Sequence, residues 1–485
     1  MATTPNLAGG ATRTVRPFSI RDKIGYMFGD FGNDFSFILQ AMFFMLFYTN
    51  VVGISPGHVG TLLLVARVVD GFTDVGMGMI VDKLPVKEGG DKFRRWIKYI
   101  MIPVAVASAL MYMSFVADFG SYAAKVVWMC ATYFLWGSLC YTAINIPYGS
   151  MASVISQDPD HRAGLSVYRS TGATLAQLVI MSLLPQIVYV TNEAGVSVLD
   201  PSRMTMGAIV CAVLSVICYF LCYINVEERV KAVPGKGGEQ HSIGDMIKAV
   251  FTNKALGGLI VAALILLLSQ LFLSGMLGYL MLNWFGNGKL QTAASMASII
   301  PALSLIVLAP IMAKKFGKAE VGAFSMIVGG IVFIAAWFLK IHNPVLWIVF
   351  FAIGMFVIAI FNYLIWAFIT DVIDYQEVHT HQRDDATVYA VYSWARKLGQ
   401  ALAGGLTGWA LEWIGYDQEA ATAGLAQTEA VQGSIYTLAN LIPGIGCVLV
   451  GLALIFLYPL KKKAVAENVA ELARRRESIA ANLGK

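Results

Sequence analysis

The chain has 485 residues, of which 57% are hydrophobic and only 13% are charged, and its mean hydropathy is +0.67. A soluble protein carries about 25% charged residues, so this composition excludes an ordinary soluble domain and indicates a protein that crosses a membrane several times. The net charge is +5, and all six cysteines lie in apolar stretches without a C-x-x-C pair, which indicates buried thiols rather than disulfides or metal ligands.

Segments long and apolar enough to cross a bilayer follow one another along the whole chain. The sequence predicts twelve spanning helices, at residues 24–48, 57–81, 97–117, 124–154, 163–190, 204–225, 255–283, 291–313, 320–339, 344–372, 386–414 and 433–459. The polar N-terminal residues lack the apolar core of a cleavable signal peptide, so we expect the first helix to stay in the protein. The predicted organisation is an N-terminal segment (1–23), a six-helix bundle (24–225), a central loop (226–254), a second six-helix bundle (255–459) and a tail (460–485).

Lysine and arginine residues divide unequally between the two sides of the membrane. One side holds the basic residues of the N-terminal segment, the central loop, the tail and the loops after the second, fourth, eighth and tenth helices. The other side holds only Lys125, Arg203, Lys289 and Lys340. By the positive-inside rule both termini are cytoplasmic, and we expect the inner membrane of a bacterium. The basic charge is therefore a topology signal, and we expect no nucleic-acid partner.

The two groups of six helices show weak similarity to each other. The segment 152–177, after the fourth helix, shares a Val-Ile pair, polar loop residues and a Val-Tyr pair with the segment 370–401, after the tenth. Two parallel six-helix repeats predict an all-α membrane protein of the major-facilitator fold, with its substrate held near the middle of the membrane between the repeats.

Charged residues on three of the predicted helices lie at one depth. Asp34 is 10 residues, and Asp70 and Lys397 are each 11 residues, from the cytoplasmic ends of their helices. A rise of ~1.5 Å per residue places them roughly 15 to 16 Å deep in a core of ~30 Å. Asp74 lies one turn from Asp70 on the same face, and Arg169 adds a cation near that level. Because ionisable residues are costly inside a membrane, they indicate a functional site.

A static network of buried salt bridges is the structural alternative, but buried ion pairs rarely repay their desolvation. Structural roles are expected for two neighbours: Asp30 is shallower and faces interfacial water, and Arg67 pairs with Asp70 within its helix. His379 and His381 lack convergent carboxylates and are expected to be loop residues. No metal site is therefore predicted beyond a possible Na⁺ site.

The residue types suit coupled transport of a sugar. Asp70 and Asp74 can bind Na⁺ or accept a proton, and Lys397 can neutralise them when the cation is absent. Cation occupancy would then change the energy of neighbouring conformations. Sugar recognition needs carboxylate acceptors, guanidinium donors and aromatic faces. The side chains that can supply these are Asp34, Arg169, Tyr141 and Trp366.

Six motifs give the chain a resemblance to a known family over nearly its whole length. They are GDFGNDF (29–35), LLLVARVVDGFTDVGMGMIVD (62–82), GGDKFRRWI (89–97), YTAINIPYGSM (141–151), ITDVIDYQE (369–377) and WARKLGQALAG (394–404). Together they resemble the glycoside–pentoside–hexuronide:cation symporter family. The INIPYGS segment is closer to the glucuronide-carrying members of that family than to the melibiose-carrying members.

The resemblance implies a Na⁺- or H⁺-coupled symporter of a sugar or glycoside, such as a glucuronide or β-glycoside, that works without a cofactor. We expect a monomer surrounded by membrane lipid. The implied cation-binding and coupling positions are Asp70, Asp74, Thr73, Thr142 and Lys397. The candidate substrate positions are Asp34, Arg169, Tyr141, Asn145 and Trp366. In melibiose-carrying members an aspartate stands in place of Asn145, a tryptophan in place of Gly149 and a cation-site asparagine in place of Thr73.

Two other functions remain as alternatives. A non-sugar carrier of the same fold, of the lysolipid type, would need no cation or would open sideways to lipid. A membrane prenyltransferase would use the DGFTD motif (70–74) to bind Mg²⁺, but it needs a second aspartate-rich motif, and DVID (371–374) is a poor one. We therefore expect no enzyme. The sequence leaves the exact glycoside and the coupling ion open.

Overall fold

The computed structural model describes residues 16–84, 90–156, 158–229, 253–380 and 385–483, and most of them are helical. The helices of the first half are α1 (Ile20–Phe47), α2 (Pro56–Lys83), α3 (Arg94–Leu110), α4 (Tyr122–Phe134), α5 (Thr142–Ile155), α6 (Pro159–Val188) and α7 (Pro201–Asn225). A π-helical turn, Tyr48–Val52, ends α1, and a π-helical segment, Leu135–Tyr141, joins α4 to α5. A short antiparallel hairpin, β1 (Tyr189–Thr191) and β2 (Ser197–Leu199), separates α6 from α7.

The second half begins after the central loop. Its helices are α8 (Lys254–Asn283), α9 (Leu290–Ala302), α10 (Leu305–Phe316), α11 (Lys318–Leu339), α12 (Pro344–Thr380), α13 (Asp385–Trp413), α14 (Gln418–Thr422), α15 (Glu429–Phe456) and α16 (Lys462–Leu483). Local signals explain several starts. The side chains of Asn253 and Thr428 accept backbone N–H groups at the first turns of α8 and α15, and prolines open α2 and α7.

Each predicted spanning segment coincides with a helix or with two consecutive helices. Within the described residues, eight continuous helical stretches are long and apolar enough to cross a membrane. The other four predicted spans correspond to α2, α3, α9 with α10, and α13. Of these, α3 has only 17 residues, α9 and α10 are separated by a turn, and α2 carries Arg67, Asp70 and Asp74.

The helices pack mainly within their own half. In the first half α1 packs on α6 and α7, and α3 packs on α5 and α7; in the second half α15 packs on α8 and α11, and α11 packs on α12. Among the described residues, the halves meet where α2 packs on α13, α6 on α9, α1 on α8, and the π-helical turn Tyr48–Val52 on α14. The middles of α1, α2, α5 and α6 therefore lie close together beside this junction.

The halves are hydrogen-bonded to each other where α1, α6, α8 and α13 end, which we call the far end because both termini lie at the opposite end. Thr49 and Tyr279 hydroxyls are 2.7 Å apart, and Tyr416 Oη donates to Asn50 Oδ1 at 2.9 Å. Further joins link Tyr189 to Gln291, Asn192 to Gly424 and Trp409 to Thr61. The structure is thus closed at the far end.

Candidate substrate and cation site

A buried asparagine organises the middle of α1. Asn33 is only 3% exposed, and its Nδ2 donates to Tyr141 Oη at 2.7 Å while its Oδ1 accepts from Tyr219 Oη at 3.1 Å. The same Nδ2 lies 3.4 Å from Asp34 Oδ1. One amide therefore ties α1 to α7 and to the π-helical segment before α5, and it holds the Asp34 carboxylate beside Tyr141.

Asp30, one turn earlier on α1, holds an arginine of α6. Its Oδ1 accepts from Arg169 Nε at 3.1 Å. Asp30 is only 7% exposed, so the expectation that it faces interfacial water is wrong. The Arg169 side chain is 38% exposed, and its guanidinium lies 5.2 Å from the centre of the Tyr148 ring. This geometry fixes a partly accessible guanidinium between α1 and α6.

Glycines let α1 come close enough to its neighbours for these contacts. A Cβ at Gly29 would collide with the Tyr148 ring, and a Cβ at Gly172 on α6 would collide with the backbone oxygen of Met27. These glycines thus let α1 pack closely on α5 and α6, and the polar side chains of α1 form the candidate site.

Two carboxylates of α2 face two hydroxyls of the neighbouring helical segment. Ser138 Oγ donates to Asp70 Oδ1 at 2.6 Å, and Thr142 Oγ1 donates to Asp74 Oδ1 at 3.0 Å. Thr142 Oγ1 also lies 3.2 Å from the backbone oxygen of Gly137. Four side-chain oxygens and a carbonyl are therefore gathered between α2 and the junction of α4 with α5. Such an oxygen set suits a hard cation.

The other residues proposed for these sites differ in their surroundings. Thr73 Oγ1 donates to the backbone oxygen of Asp70 at 3.2 Å, which is a bond within its own helix. Asn145 lies one turn beyond Thr142 on α5, and its Oδ1 is buried with no hydrogen-bond partner among the described residues. A buried amide oxygen in this position is available to a substrate hydroxyl.

Arg67 lies between the carboxylates of α2 and the middle of α1. Its Nη1 is 3.7 Å from Asp70 Oδ2, so the predicted pairing within the helix is confirmed. Its Nη2 is also 3.5 Å from Gln40 Oε1, and its guanidinium lies 5.5 Å from the centre of the Phe37 ring. Arg67 therefore links α2 to α1 as well.

Two proposed side chains lie outside the described part of the structure. The backbones of Trp366 and Lys397 belong to α12 and α13, but their side chains are not described. His381 is also outside the described residues, whereas His379 contacts the backbone oxygen of Tyr375 within α12. Among the described residues no group of three or more histidine, cysteine or acidic residues is placed to hold a metal ion.

Sequence reasoning missed three residues of these clusters: Asn33, Ser138 and Tyr219. Asn33 was obscured by the two aspartates on either side of it in GDFGNDF. Ser138 precedes Thr142 by four residues, the same spacing as Asp70 and Asp74, and this matched spacing was a usable signal. Tyr219 had no signal, since it is one aromatic residue within an apolar helix.

Comparison with known proteins gives consistent matches over nearly the whole chain. Residues 25–462 match the family described as MFS/sugar transport protein. The chain is 29% identical to the glucuronide carrier protein homolog of Escherichia coli K12, covering 95% of this chain and 96% of that protein. It is 28% identical to the putative glycoside/cation symporter YagG of the same organism, covering 82% and 84%. The nucleoside transporter NupG has a similar structure, with a TM-score of 0.60 at 14% identity, covering 92% and 100%.

Proposed function

Since this chain belongs to the MFS/sugar transport protein family, we propose that it carries a sugar or glycoside across the bacterial inner membrane together with a cation, Na⁺ or H⁺. The family match, residues 25–462, covers all of the predicted spanning helices except the first residue of the first one. It also removes support from the alternative of a membrane enzyme. The names of the two bacterial relatives support a glycoside and a cation as the transported pair.

One observation carries the proposal: Tyr141 and Thr142 are consecutive in the chain but belong to different groups of polar residues. Tyr141 belongs to the substrate cluster, which is Asp30, Asn33, Asp34, Tyr141 and Arg169. Thr142 belongs to the cation cluster, which is Asp70, Asp74, Ser138 and Thr142. Tyr141 hydrogen-bonds Asn33 beside Asp34, whereas Thr142 hydrogen-bonds Asp74 on α2. A cation that changes the bonding of Asp74 shifts Thr142, and the adjoining peptide transmits that shift to the Asn33 cluster. Coupling between two ligands requires such a difference in contacts between conformations. The two clusters therefore support symport better than simple facilitation.

The substrate cluster favours an acidic glycoside. Asp30 holds Arg169 through Nε, and Nη1 of Arg169 lies beside Gly149, 3.7 Å from the position that a Cβ would take there. A carboxylate or sulfonate on the sugar fits that position, because guanidinium groups bind planar anions at two points. Asp34 and Asn145 would then accept hydrogen bonds from the sugar hydroxyls. The similarity to a glucuronide carrier homolog points in the same direction.

The closed far end supports an inward-facing state. With both termini cytoplasmic, as the basic residues predict, the hydrogen bonds between the halves would close the periplasmic side. Alternating access would break these bonds and let the halves rock about the site. A cation moving through ~100 mV releases about 2.3 kcal/mol, which supports roughly a 50-fold gradient of a neutral solute. With an anionic sugar and one cation the two charges cancel, so the concentration gradient of the cation supplies the driving force instead.

The experiment is uptake and ligand binding by the purified full-length protein with a panel of glucuronides and neutral glycosides. Ligand binding is measured as thermal stabilisation, in Na⁺ against choline and at several pH values. Asp34→Asn should abolish sugar binding and leave cation binding, and Asp74→Asn should uncouple uptake from the cation. Glu193→Gln, on the exposed hairpin turn, is the matched control for loss of a carboxylate.

Three results would count against the proposal. Unchanged sugar affinity in Asp34→Asn would remove the assigned substrate role. Cation-stimulated uptake in Asp74→Asn would remove the assigned coupling role. No glycoside hit with a working control ligand would favour the non-sugar carrier.

A further inference from the structure

A cavity of about 600 Å³ lies at the far end, between the two halves. The first half contributes the turn after α1 and the hairpin, and the second half contributes residues 282–286 and 421–427. Asn50, in the cavity wall, lies roughly 24 Å beyond Asp34 along α1 and its terminal turn, at ~1.5 Å per residue. The volume is within the range of small-molecule sites, about 300–1,000 Å³, so the cavity is a candidate site separate from the two central clusters.

Tight turns keep this far-end cavity open. Three glycines in its lining, Gly195, Gly286 and Gly424, have φ angles of 77°, 65° and 69°. Glycine adopts this left-handed conformation without a steric penalty, and it adds no side chain that would fill the space. The turns approach each other across the halves, where Asn192 Nδ2 donates to the backbone oxygen of Gly424 at 2.8 Å. The cavity is therefore enclosed by turns rather than filled by side chains.

The lining is polar and aromatic but uncharged. None of the described residues that line the cavity is an aspartate, a glutamate, a lysine, an arginine or a histidine. The lining has instead five asparagine or glutamine amides, the hydroxyls of Ser197 and Thr422, and the rings of Trp284, Phe285 and Tyr416. This composition differs from that of the central clusters, which depend on carboxylates and a guanidinium group.

Several of these polar groups keep bonding capacity that the described residues do not use. Asn50 Oδ1 accepts from Tyr416 Oη at 2.9 Å, which leaves the amide N–H groups of Asn50 as donors. Gln432 Nε2 donates to the backbone oxygen of Gln427 at 2.7 Å, which leaves Oε1 as an acceptor. Ser197 Oγ accepts from a backbone N–H at 3.1 Å, which leaves its O–H as a donor. A ligand in the cavity can thus bond to both halves, through donors and acceptors.

Uncharged hydrogen-bonding groups beside aromatic rings suit a neutral sugar. Each sugar hydroxyl donates and accepts, as the amides do, and the apolar C–H faces of a sugar ring pack on aromatic rings. An anionic glycoside would find no opposite charge in this lining, and removing an unpaired charge from water is costly. The cavity therefore favours a neutral glycoside, whereas the central guanidinium of Arg169 favours an acidic one.

We propose that the far-end cavity is a second sugar site, which binds a neutral glycoside from the periplasmic side and holds the far end closed. A ligand that touches both halves loses contacts when they separate, so its binding favours the closed form. Neutral glycoside outside the cell should then lower the maximal rate of uptake rather than compete at the central site. The binding goes beyond the proposed symport, and only this effect on uptake rests on it.

The test compares methyl β-D-glucoside with methyl β-D-glucuronide, two ligands that differ by one carboxylate. Thermal stabilisation of the purified full-length protein gives their apparent affinities for the parent and for Asp34→Asn, which removes binding at the central site. In Asp34→Asn the glucoside should still bind, and the glucuronide should bind about tenfold more weakly or not at all. In right-side-out membrane vesicles of the parent, external glucoside should lower the maximal rate of glucuronide uptake without raising its KM.

Two changes in the cavity should remove or weaken the glucoside binding that remains in Asp34→Asn. Ala423→Trp fills the space with an indole ring and should abolish this binding. Gln432→Met keeps the length of the side chain but loses the acceptor oxygen, and it should weaken the binding about two- to tenfold. Ala123→Trp is the matched control, because Ala123 is an exposed residue in the first turn of α4 and is outside the cavity lining.

Three binding results would overturn the inference. They are the absence of glucoside binding to Asp34→Asn, glucoside binding that Ala423→Trp and Gln432→Met leave unchanged, and equal binding of the two ligands to Asp34→Asn. Inhibition that only raises the KM for the glucuronide would overturn the effect on closure. Failure of the proposed function gives a different result: no glycoside would show cation-dependent uptake, while Ala423→Trp would still abolish glucoside binding.

Discussion

The two halves of the molecule divide the work unequally. In the first half, carboxylates and guanidinium groups occupy the middles of α1, α2 and α6. In the described part of the second half, Lys318 at the start of α11 pairs at 2.6 Å with Asp371 in the last third of α12. The first half therefore holds the described binding chemistry.

This asymmetry has an energetic reason. A charged group in the middle of a bilayer costs about 2.5–3.5 kcal/mol on insertion scales, and the cost falls when partners neutralise it. Gathering the charges on adjacent helices of one half lets Arg169 neutralise Asp30 and lets Arg67 neutralise Asp70. The second half can then change position without breaking these pairs.

The two halves meet closely at the far end, where α2 packs on α13. At the far end α2 and α13 touch backbone to backbone, because a Cβ on Gly408 would lie 2.7 Å from Gly60 Cα and would collide with Pro56 O. Gly408→Val should lower the population of the closed form roughly 5- to 150-fold, the range for a cost of about 1–3 kcal/mol. Uptake should fall accordingly, whereas cation binding in the first half should persist.

Gly433→Val, on α15, is the matched control, because a Cβ at that glycine meets nothing within 4 Å. Uptake in proteoliposomes and Na⁺ binding in detergent give the two readouts. Normal uptake by Gly408→Val would show that the glycine contact does not limit closure. Loss of cation binding together with uptake would mean that the halves are not independent.

Much of this arrangement was predictable from the sequence. The all-α membrane fold, confirmed by the family match, follows from the repeated apolar runs, since hydropathy identifies a spanning helix without tertiary information. The pairing of Arg67 with Asp70 follows from helical spacing. The partner of Arg169 did not follow, because the rotation of α6 against α1 is set by glycine contacts such as that of Gly172 with Met27. The π-helical segment that aligns Ser138 is likewise decided by packing.

Asp22 and Asp371 are two buried carboxylates at the end of the molecule nearest the termini. Asp22 is fully buried and accepts from Arg16 at 3.0 Å and from Arg229 at 2.9 Å, whereas Asp371 accepts from Lys318. Asp22→Asn removes the carboxylate that pairs with Arg229 and leaves Arg16 only the more distant Glu227 carboxylate, at 4.0 Å, so it should cost about 3–5 kcal/mol of stability. Asp371→Asn should cost less, about 1–3 kcal/mol, because one lysine is affected and it can reach water.

Thermal unfolding of both variants in the same detergent orders these two effects. Glu193→Gln again serves as the control, because its side chain is exposed. If Asp371→Asn lowers the melting temperature as much as Asp22→Asn or more, the ion pairs of Asp22 do not stabilise the protein more than the ion pair of Asp371.

The smallest expected effect concerns Glu228, which lies beyond α7 and caps the start of α3. Its carboxylate accepts from the backbone N–H groups of Lys92, Phe93 and Arg94 at 2.6 to 2.8 Å. Burial nevertheless raises the pKa of Glu228, with the backbone hydrogen bonds opposing the shift. A raised pKa in the folded state means that this group contributes most to stability below its unfolded pKa, about 4.3, and that the contribution is lost as the pH rises through the folded value.

Glu228→Gln removes this titration while keeping one acceptor oxygen for the start of α3. The difference in melting temperature between parent and variant should therefore move in favour of the variant as the pH rises above about 4.3, by an amount equivalent to about 1 kcal/mol or less. Melting curves of both proteins across this pH range measure it. A difference that stays constant with pH would mean that Glu228 titrates as it does in the unfolded chain. A difference that moves in favour of the parent would mean that the hydrogen bonds from the three backbone N–H groups lower the pKa of Glu228 more than burial raises it.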